Sequence, residues 1–589
     1  MIEINNYIFA HSFLQIFFIF GLAGLAKIIT PTYSEKFQVY FVWNIIFLII
    51  FISCILGYYF FLSTVNHSLI LFFLYCISGL GIIFTLLNYK TIKKLDFNNY
   101  KILIIFFILY FILSLSPPTD VDSIDYHLGA PLTVFENKSF FPRSDWLHYR
   151  LVGLGENLNI IGIYFKTFNI GQVFQFLAIL IIISFSWNYL SSHEQKKYFS
   201  LYILSCPLFL FLLTSQKFQL FPAALIYCSI IFLVYEKSYN NKEIFYILCA
   251  LCFAIGCKFS YVIPSFLVWV FLIYRSIKDK KFIITLVISI FTFLFILVFQ
   301  HYLKNYLFYG DPLSPILEGL KQNPDQNLIK YLNFNKTFSI DQSNIIFLIS
   351  LFLPLSFGVF TTSLGPLSLM SIFLKTTKMD KKSKILIIFS IITFILIFFS
   401  YRGISRYYLE IFFIIGFIIF KNFENLRFKK IFKFLVWSQS VIILIILIYS
   451  NITFSSGILS KRLWESVLSS KAFGYDVAKW AKQETDFNTY DNTKILLSDI
   501  RFYSFFKKNF VSHQYYKYGK LENTKNLIIK ENIKYILYPE GSFAQSYFEK
   551  CVKPLEKKEK DFDLIFRNPF NTSQNKQIYF LIKINKVIC

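Results

Sequence analysis

Acidic residues are scarce: 34 in a chain of 589, against 59 lysines and arginines. The long apolar runs are nearly free of carboxylates at their centres, and no internal repeat is evident. Both features argue against a transporter or flippase, which places ionisable groups at mid-membrane depth and often shows repeats. The first seven residues hold one acid, Glu3, and no Lys or Arg. The apolar run that follows, to about Ile29, therefore lacks the basic start of a cleavable signal and reads as a retained span. Seven of the nine cysteines (Cys54, Cys76, Cys206, Cys228, Cys249, Cys252 and Cys257) fall in apolar segments, where they pack as small hydrophobes and do not suggest a metal site. Cys551 and Cys589 lie in the polar tail, and spacing alone leaves their pairing open.

What the chain does have is apolar residues, 56% of the total, with a mean hydropathy of +0.55. Many uncharged runs are long enough to cross a bilayer, which excludes a soluble core and defines a multi-span helical membrane protein. The net charge of +25 sits mainly in short connections between spans. It reads as an orientation signal, and a nucleic-acid partner is discounted. Richness in Phe, Ile, Lys, Asn and Tyr matches the bias of an AT-rich genome, so single lysines carry little weight.

After the first run, spans are expected at 39–62, 68–89, 101–116, 172–191, 198–214, 218–235, 244–257, 259–275, 283–304, 352–374, 385–400, 407–420 and 434–450, about fourteen in all. The stretch 344–374 is long for one span and is expected to begin as a surface helix. Basic connections all fall on one side, which puts both termini on the other, outside the cytoplasm, as in a bacterial inner-membrane protein. The expected divisions are N-terminal transmembrane helices (1–116), a first large external loop (117–171), a transmembrane core (172–450) and an external soluble α/β domain (451–589). Within the loop, Trp146, His148 and Tyr149 form an amphipathic part, and Leu158 to Phe168 is expected at the interface. In the tail, Lys494–Ser498, Ile533–Tyr538, Phe562–Phe566 and Gln577–Ile584 read as strands, with helices at 462–484 and 523–531. The predicted fold is an all-α polytopic bundle carrying a small C-terminal α/β domain.

Directly after the fourth span, Asp120, Asp122 and Asp125 fall within six positions. Such clustering raises the pKa of at least one carboxylate and supplies a base near neutrality. The same stretch equally reads as a solvated helix entry, with Pro117 and Pro118 stopping one helix and an aspartate capping the next. His127 assists or merely hydrogen-bonds, and Glu156, further along the loop, is either a second functional acid or a residue facing water. Arg402 and Arg406 sit in a short outer connection where orientation does not require them, and an arginine fork there suits a phosphate. Lys258, at a tight outer turn, is another phosphate candidate or a snorkelling lysine. Lys217 and Gln219 are weaker candidates. A base and cations beside a bilayer suit a half-lipid substrate, and glycosyl transfer from a lipid phosphate needs both.

These residues resemble the GT-C superfamily of integral-membrane glycosyltransferases, relatives of the protein O-mannosyltransferases and the lipid A aminoarabinose transferase. The matching pieces are Asp122-Ser123-Ile124-Asp125-Tyr126-His127-Leu128, Gly155-Glu156, Lys258, the run from Lys304 to Pro315, and Ser405-Arg406-Tyr407-Tyr408. The resemblance implies inverting transfer of one sugar from a polyprenyl-phosphate donor to an extracytoplasmic glycan, lipid or protein acceptor, with Asp122 aligned best as the base. The connection from Ser215 to Leu220 lacks the second acidic motif that such enzymes often show, so dependence on a divalent cation stays open. The alternative readings are an O-antigen-type polymerase or ligase, whose large loop usually comes late and carries Arg and His, and a lipid or glycan transporter.

Overall fold

The computed structural model describes residues 8–31, 36–63, 66–92, 97–340, 344–354, 357–374, 379–401, 404–485, 494–506, 509–518, 521–542, 545–565 and 574–588. Among these, eight helices are long and apolar enough to cross a membrane: Phe9–Ile29, Phe37–Phe61, His67–Asn88, Ile170–Trp187, Phe259–Lys278, Phe282–Tyr309, Lys381–Ser400 and Lys429–Leu459. Tyr100–Ser114 and Leu220–Tyr235 are shorter apolar helices. Apolar side chains point outward as well as inward. Ile283 is 77% exposed and Phe399 81%, a costly arrangement in water and a favourable one against lipid. Trp43, by contrast, is enclosed by the rings of Phe185, Phe232 and Tyr246. The chain is an integral membrane protein.

Three apolar stretches differ from expectation. The run 198–214 is not one span: the helix His193–Leu204 stops, and a short helix, Leu208–Leu212, follows Pro207. A proline lacks the amide a helix interior needs and disfavours helical geometry in the residue before it. The run 352–374 forms two 3-10 stretches, Phe357–Thr362 and Pro366–Phe373, with Pro354 and Pro366 working against a continuous α-helix. The expected interfacial segment is instead the helix Leu154–Tyr164, buried along its whole length. Its polar residues Glu156, Asn157 and Asn159 find partners inside the protein, so it has no wet face to lay on a membrane.

The tail forms a five-stranded sheet of β1 (Lys494–Leu497), β2 (Phe510–Ser512), β3 (Ile533–Pro539), β4 (Val552–Ile565) and β5 (Gln574–Val587), in the order β2-β1-β3-β5-β4. β1 runs parallel to β2 and β3, and β5 antiparallel to β3 and β4. Four strands match the expected ones, whereas β2 is too short to show alternation. The helix expected at 462–484 is two, Lys461–Lys471 and Tyr475–Gln483, divided where Gly474 takes φ +72°, a left-handed turn that glycine adopts without strain. One side of the sheet keeps its own core of Leu496, Val511, Ile536, Phe580 and Ile582. On the other, Tyr503 and Phe510 pack on Trp146 with ring centroids 4.9 and 5.3 Å away, which docks the sheet onto the loop 117–171. Cys551 is buried at the start of β4, and Cys589 lies outside the described residues.

Candidate active site

The aspartate segment is not a solvated helix entry. Asp120, Asp122 and Asp125 are 3%, 5% and 0% exposed, and Asp122, which precedes the π-turn Ser123–His127, makes no side-chain cap. Buried carboxylates require partners. Lys217 Nζ lies 2.8 Å from Asp120 and 2.9 Å from Asp122. Arg501, from the loop after β1, reaches Asp122 at 2.6 Å and Asp125 at 3.0 Å. Asp125 also meets His148 Nδ1 at 2.5 Å and accepts the Trp146 indole N–H at 3.1 Å. Mutual repulsion is therefore not what sets Asp120 and Asp125. Burial would push Asp120 up, but Lys217 outweighs it and holds the carboxyl below its ordinary value. For Asp125, burial is likewise outweighed by His148 and then Arg501.

A second group lies on the same loop. Glu156 Oε1 is 2.6 Å from His127 Nδ1, and its Oε2 accepts the amide of the N-cap residue Gly153 at 2.8 Å at the start of Leu154–Tyr164. His127 keeps Glu156 below the ordinary carboxylate range despite the opposing effect of burial. His127 Nε2 is buried and has no hydrogen-bond partner among the described residues. The loop sits close to the Lys258 turn because both backbones are bare: a Cβ on Gly153 would fall 2.1 Å from the Gly256 carbonyl oxygen.

His127, Glu156, Tyr126, Arg150, Lys258 and Tyr407 share a cavity of about 410 Å³. Leu151, Phe259 and Ile404 also line it and are 37%, 38% and 43% exposed, so one side is apolar and open. Lys258 is half-buried, with Nζ 5.1 Å from the centre of the Tyr407 ring. Burial is the main cause that lowers its pKa to about 8. Arg406 is buried beside Tyr407, its guanidinium 5.7 Å from that ring. Arg150 donates to Ser314 Oγ at 3.1 Å and stacks 4.4 Å from the Tyr309 ring.

The structure thus gathers Asp120, Asp122 and Asp125 in one ion cluster, and places His127, Glu156 and Lys258 on the neighbouring cavity with Arg406 behind Tyr407. Arg402 lies outside the described residues. Lys217 is committed to the aspartates, and the Gln219 carbonyl accepts the Tyr261 hydroxyl at 2.7 Å. Sequence reasoning missed Arg501, Arg150 and the partnership of His148. The argument that singled out Arg406, a cation away from the basic side, applied equally to Arg150 and Arg501. Among the described residues no group of three or more His, Cys, Asp or Glu gathers as a metal site, since the aspartate oxygens are taken up by Lys217, Arg501 and His148.

Spanning helices, a docked sheet and a charged cavity with an apolar side define a polytopic membrane protein that carries a C-terminal sheet domain. The fold is similar to the crystal structure of ArnT from Cupriavidus metallidurans bound to undecaprenyl phosphate, with a TM-score of 0.51 and 10% identity over 82% of this chain and 97% of that one. A crystal structure of the same protein in the apo state aligns with a TM-score of 0.48 and 10% identity, over 80% and 96%. ArnT is the lipid A aminoarabinose transferase, so the resemblance read from the sequence and the observed fold agree. No curated protein matches the sequence. The chain belongs to the DUF1420 family, whose N-terminal-domain model matches residues 4–468.

Proposed function

We propose that this protein is an inverting glycosyltransferase that moves a sugar from a polyprenyl-phosphate donor to an acceptor on the outer face of a bacterial inner membrane. The observation that carries this reading is the cavity itself. His127, Glu156, Lys258 and Arg150 all line it, and Leu151, Phe259 and Ile404 offer a way in for a lipid tail. The crystallised ArnT held undecaprenyl phosphate on a similar fold, which supports a lipid-phosphate donor here. In this reading about fourteen segments belong to the membrane body. Residues 117–171 and 451–589 lie outside the cytoplasm, and the acceptor is a cell-envelope glycan, lipid or protein.

In the reaction the acceptor hydroxyl oxygen bonds to the anomeric carbon of the donor sugar while the bond from that carbon to the phosphate oxygen breaks. The electron pair leaves with the polyprenyl phosphate, and the hydroxyl proton passes to a base. Lys258 and Arg150, with Arg406 behind Tyr407, stabilise the charge growing on the phosphate. Asp122 is the base the family resemblance implies, yet it is held by two cations. A specific observation favours His127: Nε2 has no hydrogen-bond partner among the described residues, and Glu156 fixes the opposite nitrogen, as a base and its orienting carboxylate require. Asp120, Asp122 and Asp125 then hold the loop and the sheet in register.

Purified protein in lipid nanodiscs, given a pool of polyprenyl-phosphate sugars, tests the function: sugar release is expected from wild type, and no turnover of any donor by folded protein refutes it. The same assay separates the two bases. His127→Gln is expected to lower turnover at least 100-fold, and Asp122→Asn less. The reverse order returns the role of base to Asp122.

A further inference from the structure

A second and larger cavity, about 700 Å³, lies between the loop residues 137–145 and the sheet. This volume falls within the range of about 300–1,000 Å³ typical of ligand sites. Its walls are the edge strand β2 and the helix Leu521–Lys530 on one side, and Asn137, Phe141 and Ser144 on the other. None of its residues line the cavity that holds His127 and Lys258.

The lining mixes polar and apolar surface, and its charged residues other than Lys530 are neutralised in pairs. Lys494 and Glu531 meet at 2.5 Å, and Arg143 and Asp145 at 2.8 Å. Uncharged groups dominate the remainder: the amides of Asn509, Asn523 and Asn526, the hydroxyl of Tyr516 and the half-buried ring of Phe141, the Phe510 ring being covered by Arg143 and Tyr503. Side-chain amides offer a donor and an acceptor together, which matches the mixed character of sugar hydroxyls. Aromatic rings take the apolar face of a pyranose. An edge strand can also recruit an extended peptide through its free backbone groups, but those of β2 are already engaged. Arg143 donates to the Phe510 carbonyl at 3.4 Å, and Asp145 accepts the Ser512 amide at 2.8 Å.

The geometry points to a binding site for a neutral oligosaccharide in this cleft. Resting on the transferase reading, we assign it to the glycan portion of the acceptor. The cleft is coupled to the ion cluster by a short path. Arg143 packs on the Trp146 ring at 5.5 Å, Asp145 precedes Trp146, and the Trp146 indole donates to Asp125 at 3.1 Å. An occupied cleft therefore presses on the segment that carries Asp125 and His127.

The test uses the full-length protein in nanodiscs against an array of neutral oligosaccharides, acidic oligosaccharides and extended peptides, with polyprenyl phosphate binding measured alongside. Neutral oligosaccharides of several units are expected to bind. The double variant Asn523→Ala/Asn526→Ala, at two exposed positions, is expected to weaken them about tenfold and to leave polyprenyl phosphate binding unchanged. Tyr516→Ala is a second, independent variant with the same expected direction. Absence of neutral glycan binding, affinity unchanged in both variants, or preference for peptides overturns the assignment. Glycan binding without any polyprenyl phosphate binding keeps the cleft and removes the transferase reading.

Discussion

Arg501→Ala separates the sheet from the loop without touching the donor cavity, since Arg501 does not line it. The variant deletes two charge-assisted contacts, to Asp122 at 2.6 Å and Asp125 at 3.0 Å. Each such bond is worth about 1.5–3 kcal/mol when buried. The Arg501 side chain is 36% exposed, so solvent screens part of that, while Lys217 and His148 continue to neutralise the two acids. A net loss of about 2 kcal/mol is expected, after discounting for exposure. That corresponds to roughly a 30-fold rise in local opening. Amide hydrogen exchange in the full-length protein reads it directly: Phe502–Phe506 and β2 lose protection by about that factor, whereas Phe37–Phe61 does not. Turnover of the lipid donor falls about 10- to 100-fold through misplacement of the loop, and donor affinity stays within twofold. Unchanged exchange at 502–512 together with unchanged turnover refutes the view that Arg501 positions this loop.

Three further outcomes follow from the same geometry. Burial brings the Lys258 pKa down to about 8, so it is charged below that pH and neutral above it. KM for the lipid donor should climb as pH rises through about 8, and Lys258→Arg should move that limb beyond pH 10; a profile that is flat in wild type removes Lys258 from phosphate binding. Asp125 is held below its ordinary value of 3.8, so its contribution to stability is fully present above that value and is lost as pH falls through the lowered one. Acid should then release the sheet from the loop, seen as a change in Trp146 fluorescence that Asp125→Asn shows already at neutral pH. In Gly153→Ala the new methyl meets the Gly256 carbonyl at 2.1 Å and drives the Glu156 loop from the Lys258 turn, so turnover should drop at least tenfold and the thermal transition should fall, since a backbone overlap costs about 1–3 kcal/mol.

The sequence by itself determined the membrane body, because span length and hydropathy are local properties that a bilayer reads directly. It also located the aspartate segment and four of the five strands, through alternation and turn residues that act over a few positions. It erred at 198–214 and 352–374, where prolines broke apolar runs that composition alone made continuous. The tertiary structure alone decided what the aspartates do. Arg501 reaches Asp122 across 379 positions and Asp125 across 376, and Lys217 comes from another connection of the bundle. Ion pairs of that kind depend on how distant segments are packed, and nothing in the local pattern encodes them. The enclosed partners then decided the charges: Lys217 holds Asp120 low and His148 with Arg501 holds Asp125 low against the opposing effect of burial, so the acids form a structural cluster, while His127 lines the cavity.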